Sequence, residues 1–227
     1  MSKPLRLAIF DVDGTLVDSQ GDIVAAMAAA FAAVEAPLPS RAEILSIVGL
    51  SLDVAMTVLA PARPAGDHKI MVEAYKDAYM RLRAEVGVAQ SSPLYPGALD
   101  ILRRLHGEPE ILLGVATGKS KRGLDKLIAG HGLDGLFITQ QVADFHPSKP
   151  HPSMIHQAMA DAGVGPEATV MIGDTSFDMD MAAAAGVTGI GVTWGYHGAD
   201  RLTAATHLVE SYTALPPLLE QIWSIPA

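Results

Sequence analysis

Five short apolar runs recur along the chain: Leu5–Phe10, Ile111–Ala116, Leu136–Thr139, Thr169–Ile172 and Thr188–Val192. Each predicts a strand buried on both faces. Between and after the later runs, helical spacing predicts helices over Ala98–Leu105, Lys121–His131, Ser153–Ala162 and Asp178–Ala185, with a closing helix at Leu215–Trp223. Alternation of this kind builds an α/β fold, a doubly wound parallel sheet covered by helices on two sides.

The stretch from Gly21 to Gln90 breaks that rhythm. Helical spacing runs through Ile23, Met27, Ala30 and Val34 and again through Ile70, Ala74, Asp77 and Arg81, with no strand pattern between them. Pro37, Pro39, Pro61 and Pro64 divide the stretch into about four helices. A helical block inserted after the first strand predicts a cap: residues 1–18 and 93–227 form the core, and 19–92 the cap. Met27, Met56, Met71 and Met80 read as the cap's own core. The cap arginines Arg41, Arg63, Arg81 and Arg83 read as solvated on helix surfaces.

Composition narrows the function. With 49% hydrophobic and 18% charged residues, the chain can bury a core and is unlike a disordered segment. The absence of cysteine excludes disulfides and thiolate chemistry and fits a reducing compartment. Met1-Ser2-Lys3-Pro4 leads straight into a strand, and no apolar run reaches the length of a membrane span. The expectation is therefore a soluble cytoplasmic protein without signal peptide or membrane partner. A net charge of −9 speaks against nucleic acid as a partner. An anionic small ligand would need a cation placed locally, either a metal ion or a lysine.

Ligands of open parallel sheets bind beyond the carboxyl ends of the strands, and four such places carry chemistry. Asp11-Val12-Asp13-Gly14-Thr15 closes the first run. Its two carboxylates point the same way while strand geometry persists. They raise one another's pKa unless a cation or a shared proton relieves them. Gly14 permits a sharp turn and a close ligand. Thr117-Gly118-Lys119 follows the second run, with a hydroxyl and free amides for an oxyanion. Lys149 stands in a loop between Pro147 and Pro150, and Gly173-Asp174 is followed by Asp178 across a strand-to-helix turn. Oxygen ligands without cysteine suit Mg²⁺ bound through few carboxylates plus substrate phosphate and water. Lys149 balances charge and can hold a phosphoryl oxygen.

Other features read as structural. Lys119 is a solvated helix-start residue. His146, His151 and His156 are loop histidines, Asp18 a turn residue and Asp180 an exposed helix position. Trp194-Gly195-Tyr196-His197 is turn packing at the cleft rim. Gly114 to Ser120 is one residue short of a nucleotide-binding P-loop and is rejected as one. For Asp174 and Asp178, helix capping competes with ligand binding, and Asp178 can do both.

Across its whole length the chain resembles the haloacid dehalogenase superfamily, and within it the phosphoglycolate-phosphatase-like group with a helical cap. Asp11-x-Asp13-Gly14-Thr15, Thr117-Gly118, Lys149-Pro150 and Gly173-Asp174-x-x-x-Asp178 match that family's four motifs in order. The resemblance implies a Rossmann-like core with a mobile cap, and an Mg²⁺-dependent phosphomonoesterase acting on a small phosphorylated metabolite. Asp11 would be the nucleophile that forms an aspartyl-phosphate, and Asp13 the acid and later the base. Thr117, Gly118 and Lys149 would bind the phosphoryl group. Mg²⁺ would be held by the side chains of Asp11 and Asp174 and the backbone carbonyl of Asp13, with Asp178 behind them. The turn from Gly14 to Asp18 would couple the cap to the site, and Val48-Gly49-Leu50-Ser51 would descend toward the substrate. Asp13 points away from halide chemistry, whose leaving group needs no proton. Sugar phosphomutases of the β-phosphoglucomutase type share all four motifs, so a mutase stays open beside the phosphatase, as does a pyrophosphatase. A non-catalytic binding protein is disfavoured by so many crowded charges. A monomer and a homodimer are both open.

Overall fold

The structure, a computed structural model, describes residues 4–224. Six parallel strands form one sheet in the order β3-β2-β1-β4-β5-β6. They are β1 (Arg6–Phe10), β2 (Ile111–Thr117), β3 (Thr139–Val142), β4 (Thr169–Gly173), β5 (Thr188–Val192) and β6 (His207–Val209). Between β1 and β2 lie α1 (Gln20–Ala32), α2 (Arg41–Leu45), α3 (Leu52–Leu59), α4 (Ala65–Val86) and α5 (Val88–Ser91), followed by α6 (Ala98–His106). The later helices are α7 (Lys121–His131), α8 (Ser153–Ala162), α9 (Ser176–Ala185) and α10 (Leu215–Ser224).

Alternate residues of β1 serve opposite faces. Ala8 and Phe10 pack in the layer of α6, α7 and α10, and Leu7 and Ile9 against α8 and α9. All four are fully buried, and Leu7, Ile9 and Phe10 each contribute on the order of 1.5–3 kcal/mol. The strand carrying Asp11 is thereby pinned in the middle of the sheet. Register does the rest. Phe10 lies level with Val115 and Ile172 on its two neighbours, so Asp11, Thr117 and Asp174 leave the sheet side by side. Chain order reverses at β1 and β4, the switch point where open α/β sheets hold ligands.

The inserted segment forms its own apolar cluster around Ile23, Met27, Phe31, Ile44, Met56 and Met71. Five helices occupy it, one more than the prolines suggest, because the single turn α5 closes it after α4. A capping box between Ser40 and Glu43 starts α2 behind Pro39.

The structure corrects several sequence readings. β3 lies at Thr139–Val142, starting on the last residue of the run Leu136–Thr139 and so three residues later than expected. Phe137 is buried in the core ahead of the strand, Leu136 packs on it, and Ile138 is half exposed. As an edge strand, β3 tolerates Gln140 and Gln141. β6 was not expected: three residues on the far edge carry too little pattern. In α4 the buried stripe is Met71 and Ala78 with Tyr75 and Tyr79 partly buried, a phase away from Ile70, which is exposed. Gly114 sits inside β2 opposite Thr139, so no phosphate loop forms there. Among the described residues, no helix is long and apolar enough to cross a membrane.

Candidate active site

Asp11 follows the last residue of β1 and is buried, as are Lys149, Asp174 and Asp178. The Lys149 Nζ donates to Asp11 Oδ1 at 2.7 Å and to Asp178 Oδ1 at 2.6 Å. Asp174 accepts from the Thr15 hydroxyl at 2.9 Å and the Tyr196 N–H at 2.8 Å. Asp178 performs the capping role as well, since its Oδ2 accepts from the Thr175 N–H and hydroxyl at the start of α9. Carboxylate oxygens of Asp11, Asp174 and Asp178 lie within 4.8 Å of one another.

One lysine faces three carboxylates here. Burial pushes the Asp11 carboxyl up to about 7 against the pull of Lys149, with Asp178 and Asp13 adding to the rise. Burial and the charges of Asp11 and Asp178 push Asp174 well above the usual carboxylate range. Burial works against the Lys149 ammonium too, yet Asp11 and Asp178 hold its pKa above the ordinary lysine value. The remaining repulsion calls for a proton or a cation. Asp11 Oδ2 is buried without a hydrogen-bond partner. A hard divalent cation fits this all-oxygen set: it would satisfy that orphaned oxygen and cancel the excess charge. Bare backbone makes room for Asp174. At Gly14, whose φ is +88°, an added Cβ would lie 2.1 Å from Asp174 Oδ2.

Asp13 turns its carboxylate away from that cluster. It accepts from the Ser19 hydroxyl in a very short contact and pairs with the Lys119 Nζ at 2.7 Å. Lys119 is therefore not the solvated residue its place at a helix start suggests. Burial opposes its charge, but Asp13 and Tyr79 raise its pKa. Its Nζ also donates to the Tyr79 hydroxyl at 3.0 Å and lies 5.2 Å from that ring's centre. Arg83 packs on the same ring and is likewise buried rather than solvated. Its guanidinium is 4.7 Å from the Tyr79 ring, 2.8 Å from the Ser92 hydroxyl and 3.6 Å from Asp22 Oδ2. Arg41 and Arg63 are occupied by Gln20 and Asp67 on the cap surface.

The segment after β5 does more than pack. The Tyr196 hydroxyl accepts from the Ser19 N–H at 2.9 Å, and the Trp194 indole donates to the Thr15 carbonyl at 3.1 Å. His197 accepts from the Ser176 N–H and donates to the Ser46 carbonyl, joining α9 to the cap. Burial lowers its pKa, which favours the neutral ring these bonds need. His146 is a half-buried loop residue held by Gln141 and Ser153, while His151 and His156 are exposed.

Thr117 ends β2, buried, with its oxygen accepting from the Lys119 N–H at 3.2 Å. The loop that carries Gly49 crosses directly over Gly118, and the Ser51 N–H donates to the Ser148 hydroxyl at 2.8 Å. An added Cβ at Gly118 would lie 2.7 Å from the carbonyl oxygens of both Gly49 and Leu50. Gly118→Ala is therefore expected to lift this loop and lower kcat/KM on the order of 10²-fold, as ångström misplacements do, with the melting temperature nearly unchanged. Steady-state kinetics beside a thermal melt check this; an unchanged kcat/KM would show that the loop does not need this approach.

These residues enclose a cavity of about 400 Å³ between the sheet end and the inserted helices, with Asp11, Asp13, Thr117, Gly118 and Lys119 at its floor and Gly49 in its wall. The sequence model of haloacid dehalogenase-like hydrolases matches residues 8–192. The chain belongs to that family. This haloacid dehalogenase-like hydrolase is 37% identical to the probable phosphatase IndB of Dickeya dadantii, over 88% of this chain and 86% of that one. It is 28% identical to a phosphoglycolate phosphatase of Haemophilus influenzae, over 87% and 89% of the two. A hydrolase from Pseudomonas syringae has the same fold, with TM-score 0.83 and 26% identity over 96% of this chain and 99% of that one.

Proposed function

We propose that this hydrolase is an Mg²⁺-dependent phosphomonoesterase that releases phosphate from a small phosphorylated metabolite through an aspartyl-phosphate. The observation that carries the reading is Asp11: a buried carboxylate on a cavity floor, one oxygen held by Lys149 and the other without a partner. Relatives named phosphatase over most of the chain support it.

In this reading a carboxylate oxygen of Asp11 attacks phosphorus, and the bond from phosphorus to the alcohol oxygen breaks. Asp13 gives its proton to the departing alkoxide. It then takes one from the water that attacks the aspartyl-phosphate, which frees phosphate and restores Asp11. Thr117, the Gly118 amide and Lys149 hold the phosphoryl oxygens as their charge spreads. Asp11, Asp174 and the Asp13 carbonyl would hold Mg²⁺, with Asp178 fixing Lys149 behind them; the ion would supply charge neutralisation on the phosphoryl oxygens. Residues 19–92 act as a cap whose 48–51 loop excludes water from the floor.

Metal binding has a readout without substrate. Mg²⁺ at about a hundred times its Kd adds roughly 2.7 kcal/mol, so the melting temperature is expected to rise by about 5–10 °C for a domain this size. Asp174→Asn removes that rise while leaving the metal-free protein at least as stable, because one of three crowded carboxylates is gone. An equal Mg²⁺ response in wild type and variant would place the ion elsewhere.

A further inference from the structure

The cavity is built unevenly. Its floor is charged, but the lining from the inserted helices includes Met27 from α1, Val48 and Leu50 from the descending loop, and Tyr75, Tyr79 and Met80 from α4. Met80, expected in the cap's own core, is absent from that cluster and half-buried at this wall. Tyr75 and Tyr79 stack, with ring centres 5.7 Å apart and planes 15° apart. The wall's uncharged polar groups are few, with the Tyr75 phenol and Ser51 the nearest to hand.

Charge inside the cavity is already committed. Lys119 is held by Asp13 and the Tyr79 hydroxyl, and Arg83 by Ser92, Asp22 and the Tyr79 ring, with its buried Nε lacking a hydrogen-bond partner. The other lining charges, Asp53, Glu73, Lys76, Asp77, Arg122, Lys126 and Asp144, are exposed, of both signs, and belong to the mouth. A two-carbon acid would have to draw Lys119 from Asp13 or Arg83 from Asp22 to pair its carboxylate, and burying that charge unpaired is costly. A sugar would leave most of its hydroxyls against methionine, leucine and phenyl faces, with the same penalty. A ring with little polarity suits this wall: aromatic faces and flexible thioethers pack well on it. The volume lies in the range of small-molecule sites, roughly 300–1,000 Å³.

We infer that the alcohol half of the substrate is an uncharged, ring-sized, largely apolar body seated on Tyr75, Tyr79 and Met80 beneath the 48–50 loop. The inference rests on the phosphomonoesterase reading and adds the substrate class to it. The test compares kcat/KM for benzyl phosphate, phosphoglycolate and glucose 6-phosphate. All are esters of primary alcohols of similar basicity, so the ratio reads the pocket and not the leaving group. Benzyl phosphate is expected to lead by about tenfold or more, the scale on which hydrophobic pockets discriminate. Met80→Lys, which adds a cation to the half-buried wall, is expected to lower the benzyl ester's kcat/KM by about tenfold and to raise that of phosphoglycolate. Faster turnover of phosphoglycolate or glucose 6-phosphate by the wild type overturns the inference while Asp11-dependent phosphate release keeps the hydrolase reading. Release from none of the three overturns that reading and the inference with it.

Discussion

Asp11→Asn is expected to abolish phosphate release, by at least about 10⁴-fold, in a protein that remains folded. A carboxamide is too poor a nucleophile to displace an alkoxide, and no neighbouring group can replace it: Asp174 is fixed by Thr15 and Tyr196, and Asp178 by Lys149 and Thr175. The fold should tolerate the change because Lys149 keeps Asp178 as a partner. Stability supplies the control. Asp11 in the folded protein holds its proton up to about 7, against an ordinary carboxylate value of 3.8. Its contribution is present below the unfolded pKa and is lost as pH rises through about 7. Without metal, the variant should therefore melt no lower than the wild type at pH 8. Activity within tenfold of wild type in a folded variant would remove Asp11 from the nucleophile's place.

Much of this site is legible in the sequence, for a physical reason. Buried parallel strands are written as unbroken apolar runs, and ligands sit where such runs stop. Asp11, Thr117 and Asp174 could be placed side by side from their runs alone, and Lys149 was marked by its prolines. What stayed hidden depends on contacts between distant segments. Nothing local to Lys119 distinguishes a helix-start lysine in water from one paired with Asp13 under a cap tyrosine. Arg83 looked equally solvated because its partner Asp22 lies on another helix, sixty-one positions earlier in the chain. β3 was displaced because Leu136 and Phe137 serve the core before the strand begins. Tyr196 and His197 read only as turn packing at the cleft rim, although the strand-end rule applied to the fifth run gives them more weight: Tyr196 donates its N–H to Asp174 and His197 joins α9 to the cap.

Asp13→Asn is expected to separate the two halves of the reaction. For alkyl phosphates, whose alkoxide cannot leave without a proton, kcat should fall by about 10²–10⁴-fold, the usual worth of a placed general acid. For a nitrophenyl phosphate the leaving group needs no proton, so the first step is nearly spared. The second step still lacks its base, because Asp13 is also the group positioned to deprotonate water. Lys119 and Ser19, which surround it, are a cation and a hydroxyl and cannot take that role. The variant should thus release about one nitrophenolate per active site in a rapid burst, followed by slow turnover as the aspartyl-phosphate accumulates. The wild type separates the hydrolase from its closest rival, because there Asp13 can deprotonate either acceptor. A mutase would pass the phosphoryl group to a sugar hydroxyl, so glucose 1-phosphate added with the nitrophenyl phosphate would yield a bisphosphate instead of phosphate. Equal losses for alkyl and aryl esters, without a burst, would take the acid and base roles away from Asp13. They would leave it as the residue that anchors Lys119 and, through Tyr79, holds the cap over the floor.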